Sequence, residues 1–220
     1  MQRDPSLRDG MRAALPLILP VLVFGISFGV VAQPIIGGLA ASAMSATIIA
    51  GASQIAAVTV LDSGGGAAAA VVAGLLMNAR FFPMALAVAP ALRGSRLRQL
   101  VEVQAAVDAS FVLADQGDGT FSRGMLVGSW LPQTAAWVGG TVIGVLLGEV
   151  IPDPQELGLD VVLPAFFITL LVRDVRASGT RRTFEVLGLA IAITLALTPV
   201  APAGMPVVAA AAAALLGLRR

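Results

Sequence analysis

The sequence predicts an all-α protein, a polytopic membrane helix bundle of seven to eight membrane elements. Of its 220 residues, 57% are hydrophobic and 12% are charged, and the mean hydropathy is +0.91. Soluble domains carry about a quarter of their residues as charges. The apolar segments are also apolar all round, whereas a helix on the surface of a soluble core has one polar face. Long apolar runs with half the usual charge are typical of an integral membrane protein.

Seven apolar segments are expected to form helices. They are Leu15–Ala32, Ser42–Leu61, Ala67–Leu92, Gly124–Gly148, Val161–Val172, Phe184–Pro199 and Met205–Leu218. Each of the first four is long enough, at roughly twenty residues, to cross a bilayer. The last three are short and must extend into flanking polar residues or cross where the bilayer is thin. Turns are expected at Gln33–Pro34 with Gly37–Gly38, at Gly64–Gly66 and at Pro152–Pro154.

Val101–Asp115 is ambiguous, since it fits a surface helix, a re-entrant half-helix or a short span. With seven spans, the N-terminus lies outside and both Arg93–Arg98 and Arg123 lie inside. With eight spans, the N-terminus and Arg123 lie inside and Arg93–Arg98 lies outside. Both arrangements give the same excess of arginine inside, so the positive-inside rule does not choose between them.

A weak internal repeat favours the eight-element arrangement. Three pairs of segments match in the same order: Ser27-Phe28 with Ser110-Phe111, Gln54–Val58 with Gln133–Trp137, and Phe81-Phe82 with Phe166-Phe167. They predict an inverted repeat of three elements, a common transporter architecture. The repeat units would be 13–93 and 101–173, followed by C-terminal helices within 184–218, in one transmembrane transporter domain, 1–220. Chance likeness among Ala-rich helices is the alternative.

The composition excludes several kinds of site. Histidine, cysteine and lysine are absent, so an imidazole base, a thiolate nucleophile and a nitrogen or sulfur metal site are ruled out. We therefore expect neither an enzyme nor a cofactor or metal. A net charge of +1 gives no basic surface for nucleic acid.

Two charged residues lie among the apolar segments. Arg80, two residues after Asn78, falls inside the apolar run Ala67–Leu92. A charge at membrane depth is costly, so Arg80 must face a partner or a wet cavity, or else snorkel to the interface. Asp108 is the carboxylate best placed to be that partner. Unpaired and desolvated, Asp108 would instead be a candidate for proton coupling, and on a surface helix it would be a solvated charge.

Two glutamines are candidate ligands for a polar substrate. Gln54 follows Ser53, and Gln133 follows Pro132, whose missing N–H frees a nearby carbonyl. An amide offers two donors and an acceptor, enough to bind an amino-acid head without a buried charge of its own. The alternative is that each glutamine bonds to a neighbouring helix.

Glycines four residues apart predict close helix packing, within this chain or with another. The pairs are Gly25–Gly29, Gly124–Gly128, Gly140–Gly144 and Gly144–Gly148. Trp130 and Trp137 are expected to anchor the chain at a membrane interface, with cavity walls as the alternative.

The chain resembles a known family. The resemblance is carried by Ala50-Gly51-Ala52-Ser53-Gln54, Asn78-Ala79-Arg80 and Ala87-Val88-Ala89-Pro90, and it extends from about Met11 to Val172. These motifs are similar to those of the AzlC family, the large subunit of branched-chain amino-acid exporters. Members often carry an Asp-Glu pair where this chain has Asp108-Ala109, which puts a role for two carboxylates in doubt.

The resemblance implies a multi-pass protein of the bacterial cytoplasmic (inner) membrane that exports leucine, isoleucine and valine, with methionine a further candidate. It also implies a small AzlD-type membrane subunit as partner and energy from the membrane potential or proton gradient. The sequence itself has no Gly-x-x-x-x-Gly-Lys-Ser/Thr loop for ATP.

The residues and the resemblance together predict a secondary transporter. The expected substrate-binding residues are Ser53, Gln54, Asn78, Arg80 and Gln133, with proton coupling at Asp108. Apolar walls would be supplied by residues such as Phe24, Ile55, Phe81 and Phe166. Each buried methylene contributes about 0.8 kcal/mol, so such walls would prefer leucine to alanine but treat leucine, isoleucine and valine alike. The alternative is a non-transporting scaffold or permease subunit of a multi-chain complex.

Overall fold

A computed structural model describes residues 5–148, 168, 172, 175–176, 181–201 and 209–210. Regular structure in these residues is helical, apart from one isolated bridge between Asp115 and Phe121, which confirms the all-α class for this part of the chain. The helices are α1 Leu7–Ile36, α2 Gly38–Thr47, α3 Gly51–Asp62, α4 Ala67–Asn78, α5 Phe81–Val88, α6 Arg96–Glu102, α7 Asp108–Ala114, α8 Arg123–Gly148 and α9 Arg181–Leu197. Short 3-10 turns follow α5 at Ala89–Ala91 and α6 at Val103–Ala105.

Helix α1 is longer than the predicted Leu15–Ala32 because its first turn is capped. The Ser6 side chain accepts from the Asp9 backbone N–H, and the Asp9 carboxylate accepts from the Ser6 N–H in return. This capping box satisfies two donors that have no partner inside a helix. The resulting 30 residues span about 45 Å, more than the hydrocarbon core of a bilayer.

The turn expected at Gln33–Pro34 is wrong. Both residues lie within α1, and the helix ends at Gly37, which has φ +84°. Glycine adopts this left-handed conformation without a Cβ clash. The neighbouring prediction, a turn at Gly37–Gly38, is therefore confirmed at Gly37.

The predicted single helix Ser42–Leu61 is broken. α2 ends at Thr47 and α3 begins at Gly51, with Ile48 in an extended conformation (φ −119°, ψ 94°). Thr47, Ile48 and Ile49 are three β-branched residues in a row, whose restricted side chains disfavour helix and favour extended backbone.

The predicted single helix Ala67–Leu92 is broken as well. α4 ends at Asn78 and α5 begins at Phe81. Pro83 explains the position, because a proline there cannot donate to the carbonyl of Ala79 and its ring crowds that carbonyl. Arg80 thus lies at the break, where the backbone leaves the helical ladder.

The ambiguous segment Val101–Asp115 forms two short pieces. α6 and its 3-10 turn end at Ala105, and α7 begins at Asp108. Each of these two helices has seven residues, about 10 Å, which is too short to cross a bilayer.

Helix α8 agrees with the predicted Gly124–Gly148 to within one residue, and α9 ends two residues short of the predicted Phe184–Pro199. Among the described helices, α1 and α8 are long and apolar enough to cross a membrane, and the broken pair α4–α5 would make a third crossing if counted as one. The expected helices Val161–Val172 and Met205–Leu218, the turn at Pro152–Pro154 and the Phe166-Phe167 match lie essentially outside the described residues.

The chain divides into two compact units, Met1–Gly51 with Asn78–Pro152, and Ala52–Met77 with Asp153–Arg220. In the second unit, α3 and α4 form a hairpin around Gly64, which has φ +79°. Gly74 of α4 lies against Ser53 and Ala57 of α3.

In the first unit, α1 and α8 pack against each other along their whole length. A Cβ at Gly10 would lie 2.8 Å from the carbonyl oxygen of Gly124, and one at Gly25 would lie 2.5 Å from that of Trp137. Further along, Gly148 faces Val30 and Gln33. Contacts that advance together along both helices mean that α1 and α8 are parallel. The predicted close approach at glycine is confirmed, and it occurs within this chain.

Helix α2 runs back along α8 in the opposite direction. Gly38 lies against the Val145 side chain, the Ser45 and Thr141 hydroxyls are 2.9 Å apart, and Gly51 lies against the Trp137 ring. α2 therefore runs from the C-terminal end of α8 to the middle of α8, where α2 ends.

A buried carboxylate ties α6 to the start of α8. Glu102, with a side chain 9% exposed, accepts from Arg98 Nε and Arg123 Nε, each at 2.7 Å. The hydrogen bonds from Arg123 and Arg98 outweigh burial and lower the pKa of Glu102 from 4.5 to about 2.

These contacts differ from both arrangements considered from the sequence. Gly124 lies against Pro5, so the N-terminus and the start of α8 are at one end of the unit, whereas the seven-span arrangement separates them. Arg98 and Arg123 share Glu102, whereas the eight-span arrangement places them on opposite faces. The segment between Arg98 and Arg123 therefore starts and finishes at the same end of the first unit.

Glu102→Ala is expected to destabilise the folded protein by about 2 kcal/mol. The substitution leaves two arginines without their carboxylate, and the cost falls below the roughly 3–5 kcal/mol of a fully buried ion pair because both arginines are partly exposed. Glu185→Ala is the matched control, since its i,i+4 bond to Arg181 is exposed and contributes about 0.3–0.5 kcal/mol. Chemical unfolding in detergent measures both changes.

The same experiment has a pH dependence. Because the pKa of Glu102 is depressed on folding, its contribution is complete above about pH 4.5 and is lost as pH falls towards 2. The difference in free energy of unfolding between the parent protein and Glu102→Ala should therefore decrease over this range. A difference that is constant from pH 6 to pH 3 would contradict the ionised bridge.

Candidate functional site

Three chain breaks of the first unit meet at one cavity of about 240 Å³. The lining residues come from the break after α2, from the break before α5 with its first turns, and from the break between α6 and α7. They are Thr47, Ile48, Ile49, Ala50, Asn78, Phe81, Ala85, Val103, Gln104, Ala106 and Val107. At about 30 Å³ per water molecule, this volume equals that of roughly eight water molecules. Each water has one non-hydrogen atom, so the volume suits a ligand with about as many non-hydrogen atoms as leucine.

The cavity walls are apolar with a few neutral polar groups. Ile48, Ile49, Val103 and Val107 supply branched side chains, and every described lining residue is uncharged. The Asn78 Oδ1 is buried and has no hydrogen-bond partner among the described residues. A small apolar pocket with few polar groups is typical of a site for a small ligand.

An ion pair is formed by two residues that are next in sequence to lining residues and do not line the cavity themselves. Arg80 Nη2 lies 2.9 Å from Asp108 Oδ2, and the two side chains are 38% and 48% exposed. The Arg80 guanidinium also lies 4.8 Å from the centre of the Phe81 ring, a cation–π contact. Arg80 sits between the lining residues Asn78 and Phe81, and Asp108 directly follows Val107. The structure thus gives Arg80 the acidic partner that the sequence suggested.

Gln133 joins α8 to α7. Its Nε2 donates to Ser110 Oγ at 3.2 Å and to the Ser129 carbonyl at 2.8 Å. This is the helix-to-helix bond that was the alternative to substrate binding. Gln133 does not line the cavity, and its role as a ligand stays a prediction.

Ser53 and Gln54 are buried in α3 of the second unit, with exposed fractions of 3% and 0%. Their predicted contact with substrate stays a prediction too. Of the predicted site residues in the first unit, Asn78 lines the cavity, Arg80 and Asp108 are next in sequence to lining residues, and Gln133 does not line it.

Sequence reasoning missed most of the cavity wall. Ile48, Ile49, Val103 and Val107 are ordinary apolar residues in an apolar chain. The signals that could have found them are local: the β-branched run that ends α2 and Pro83, which forces the break before α5.

Comparisons with known proteins indicate that this chain is similar to membrane proteins. The chain is 25% identical over 225 residues to an "Uncharacterized membrane protein" of Archaeoglobus fulgidus, covering 99% of this chain and 97% of that protein. It is 27% identical over 198 residues to an "Uncharacterized membrane protein" of Helicobacter pylori strain J99, covering 86% and 83%. No solved structure matches it. The family model described as "AzlC protein" matches residues 16–151, more than half of the chain. The chain is therefore a membrane protein that belongs to the AzlC family.

Proposed function

We propose that this protein is a secondary transporter subunit that exports branched-chain and other apolar amino acids across the bacterial cytoplasmic membrane. The observation that carries the proposal is the cavity at the meeting point of three interrupted helices. Transporters bind substrate near the middle of the bilayer, where discontinuous helices offer backbone groups and helix ends to it. A scaffold needs no such cavity, which is why we prefer a transporter.

In the proposed topology, α1 and α8 each cross the bilayer, and α2 and α5 make half-crossings. α2 has 10 residues, and α5 with its 3-10 turn has 11. α2 runs from the C-terminal end of α8 to its middle. From there α5 continues to Val88 and Leu92, which pack with Leu126 near the start of α8. Together the two halves are about 33 Å long, enough for one bilayer core.

This topology places the cavity at mid-depth and the arginine-rich end of the unit in the cytoplasm. Arg8, Arg12, Arg98 and Arg123 lie at the end where α1 and α8 begin, and cytoplasmic faces carry excess arginine. The seven to eight membrane elements then include half-crossings within the single domain 1–220. The inverted repeat of 13–93 and 101–173 stays a prediction: the antiparallel course of α2 and α8 fits it, whereas the start of both units at the arginine-rich end does not.

In the proposed mechanism, the substrate carboxylate binds Arg80 in place of Asp108. Guanidinium can bind a carboxylate through two parallel hydrogen bonds. Protonation of Asp108 would release Arg80 and so couple substrate binding to the proton gradient. Ile48, Val103 and Val107 would hold the aliphatic side chain, at about 0.8 kcal/mol for each buried methylene. We further propose a small AzlD-type subunit as the membrane partner.

Ala85→Phe is expected to reduce leucine efflux at least tenfold. Ala85 lines the cavity, so the ring would occupy space that the substrate needs. Ala87→Phe is the matched control on the same helix, because Ala87 is exposed and does not line the cavity. Efflux of labelled leucine would be measured from membrane vesicles that contain the chain and its partner subunit.

Equal efflux from both variants and the parent would refute the cavity as the substrate site. A loss of efflux in both variants with normal amounts of protein in the membrane would argue against it as well. No efflux of any apolar amino acid from the parent, together with intact assembly with the small subunit, would favour the scaffold instead.

A further inference from the structure

Helix α8 carries a row of buried polar atoms without partners. Trp130 Nε1, Thr134 Oγ1 and Trp137 Nε1 are each buried and have no hydrogen-bond partner among the described residues. Spacings of four and three place these residues on one face of the helix. Trp137 is 7% exposed.

Such a row needs an explanation, because nearly all buried polar groups in native proteins are hydrogen-bonded to protein or to water. An indole N–H is a donor only, so the two tryptophans require an acceptor. Their expected role as interface anchors does not fit Trp137, whose ring stacks on Phe28 at 5.8 Å inside the first unit. Trp137 is packed inside the first unit, and neither tryptophan is among the residues that line the cavity described above.

The face that carries this row lies beside the cavity at three levels. The Trp137 ring contacts Gly51, the residue after the lining residue Ala50. Gln133, on the same side of α8, bonds to Ser110, less than one turn after the lining residue Val107. Trp130 packs against an apolar cluster that includes the lining residue Ala106.

We propose that this face of α8 lines a hydrated passage that continues the cavity over about 10 Å, the rise from residue 130 to residue 137. When no substrate is bound, water oxygens accept hydrogen bonds from the two indole N–H groups, and water also bonds to the Thr134 hydroxyl. The substrate carboxylate takes their place as it moves along the row, being the acceptor that a row of donors recognises. This last step rests on the proposed function, whereas the hydration does not.

The composition makes the proposal directly testable, because the chain has two tryptophans and no tyrosine. Trp130→Phe and Trp137→Phe each leave a single indole, and phenylalanine retains an aromatic ring for packing. The fluorescence lifetime of each full-length variant, reconstituted in liposomes, is compared in H₂O and D₂O. We expect a longer lifetime in D₂O for both indoles, since both N–H groups contact exchangeable water. An unchanged lifetime for either indole would mean a dry site and would overturn the passage.

A second measurement tests the carboxylate. Leucine is expected to shift the emission of Trp137 in the Trp130→Phe variant, whereas 3-methylbutylamine, which is leucine without its carboxylate, is expected to leave it unchanged. Equal shifts with both compounds, or none with leucine, would overturn the carboxylate step. A deuterium effect in a protein that fails to transport leucine would separate the hydrated passage from the proposed function and refute only the latter.

Discussion

Gly140→Ala is expected to destabilise the protein by several kcal/mol, whereas Gly139→Ala on the same helix is expected to stabilise it slightly. A methyl group at Gly140 would overlap the backbone carbonyl oxygen of Leu22 in α1. Since backbone cannot rotate out of the way as a side chain can, the two helices would have to separate, and overpacking of this kind costs at least about 1–3 kcal/mol. At Gly139 a Cβ meets nothing within 4 Å, and alanine is favoured over glycine in a helix by about 0.5–1 kcal/mol.

The free energy of unfolding of both variants in detergent, or their melting temperatures, would test this pair. Because the two residues are adjacent on one helix, differences in helix propensity and in insertion largely cancel. Similar changes at both positions would mean that α1 and α8 do not pack through this glycine face. A stabilised Gly140→Ala variant would contradict the parallel pair itself.

Arg80→Ala is expected to reduce leucine efflux ten- to a hundredfold with little loss of folded protein. Both Arg80 and Asp108 are more than one third exposed, so their bond contributes at most about 1 kcal/mol to stability. A charged hydrogen bond to substrate is worth about 1.5–3 kcal/mol, and each 1.4 kcal/mol is a factor of ten in binding. Efflux from vesicles and the amount of folded protein in the membrane are measured together.

The exchanged pair, Arg80→Asp with Asp108→Arg, separates two roles for the ion pair. If the pair only fastens α7 to the start of α5, the exchange restores the attraction and should restore efflux. If Arg80 binds the substrate carboxylate from its own position, efflux stays low although the attraction is restored. We expect the second result, and recovered efflux would remove Arg80 from the substrate site.

Part of this architecture can be predicted from the sequence, since it depends on composition and on local pattern. Low charge and long apolar runs are sufficient for the membrane class. The apolar runs Leu15–Ala32 and Gly124–Gly148 predict two crossings. The glycine pairs predict a close helix contact, because glycine alone allows two backbones to touch. Asn78, Arg80 and Asp108 were found because polar groups are rare in such segments.

The cavity wall could not be predicted in the same way. In a membrane protein an isoleucine that faces lipid and one that faces a cavity occur in the same apolar pattern, so hydropathy alone does not distinguish Ile48 or Val107. The helix breaks depend on local strain, from β-branched residues before Gly51 and from Pro83, which a search for long apolar runs overlooks.

The amino-acid sequence by itself determined that this chain is a helical membrane protein of the AzlC family, and it pointed to the few polar residues inside the apolar segments. Only the tertiary structure decided that α1 and α8 are parallel, that Arg98 and Arg123 share Glu102, and that three breaks meet at one cavity. The physical reason is that these features depend on contacts between residues far apart in the chain. Packing of backbone against backbone selects such contacts, and no local periodicity records them.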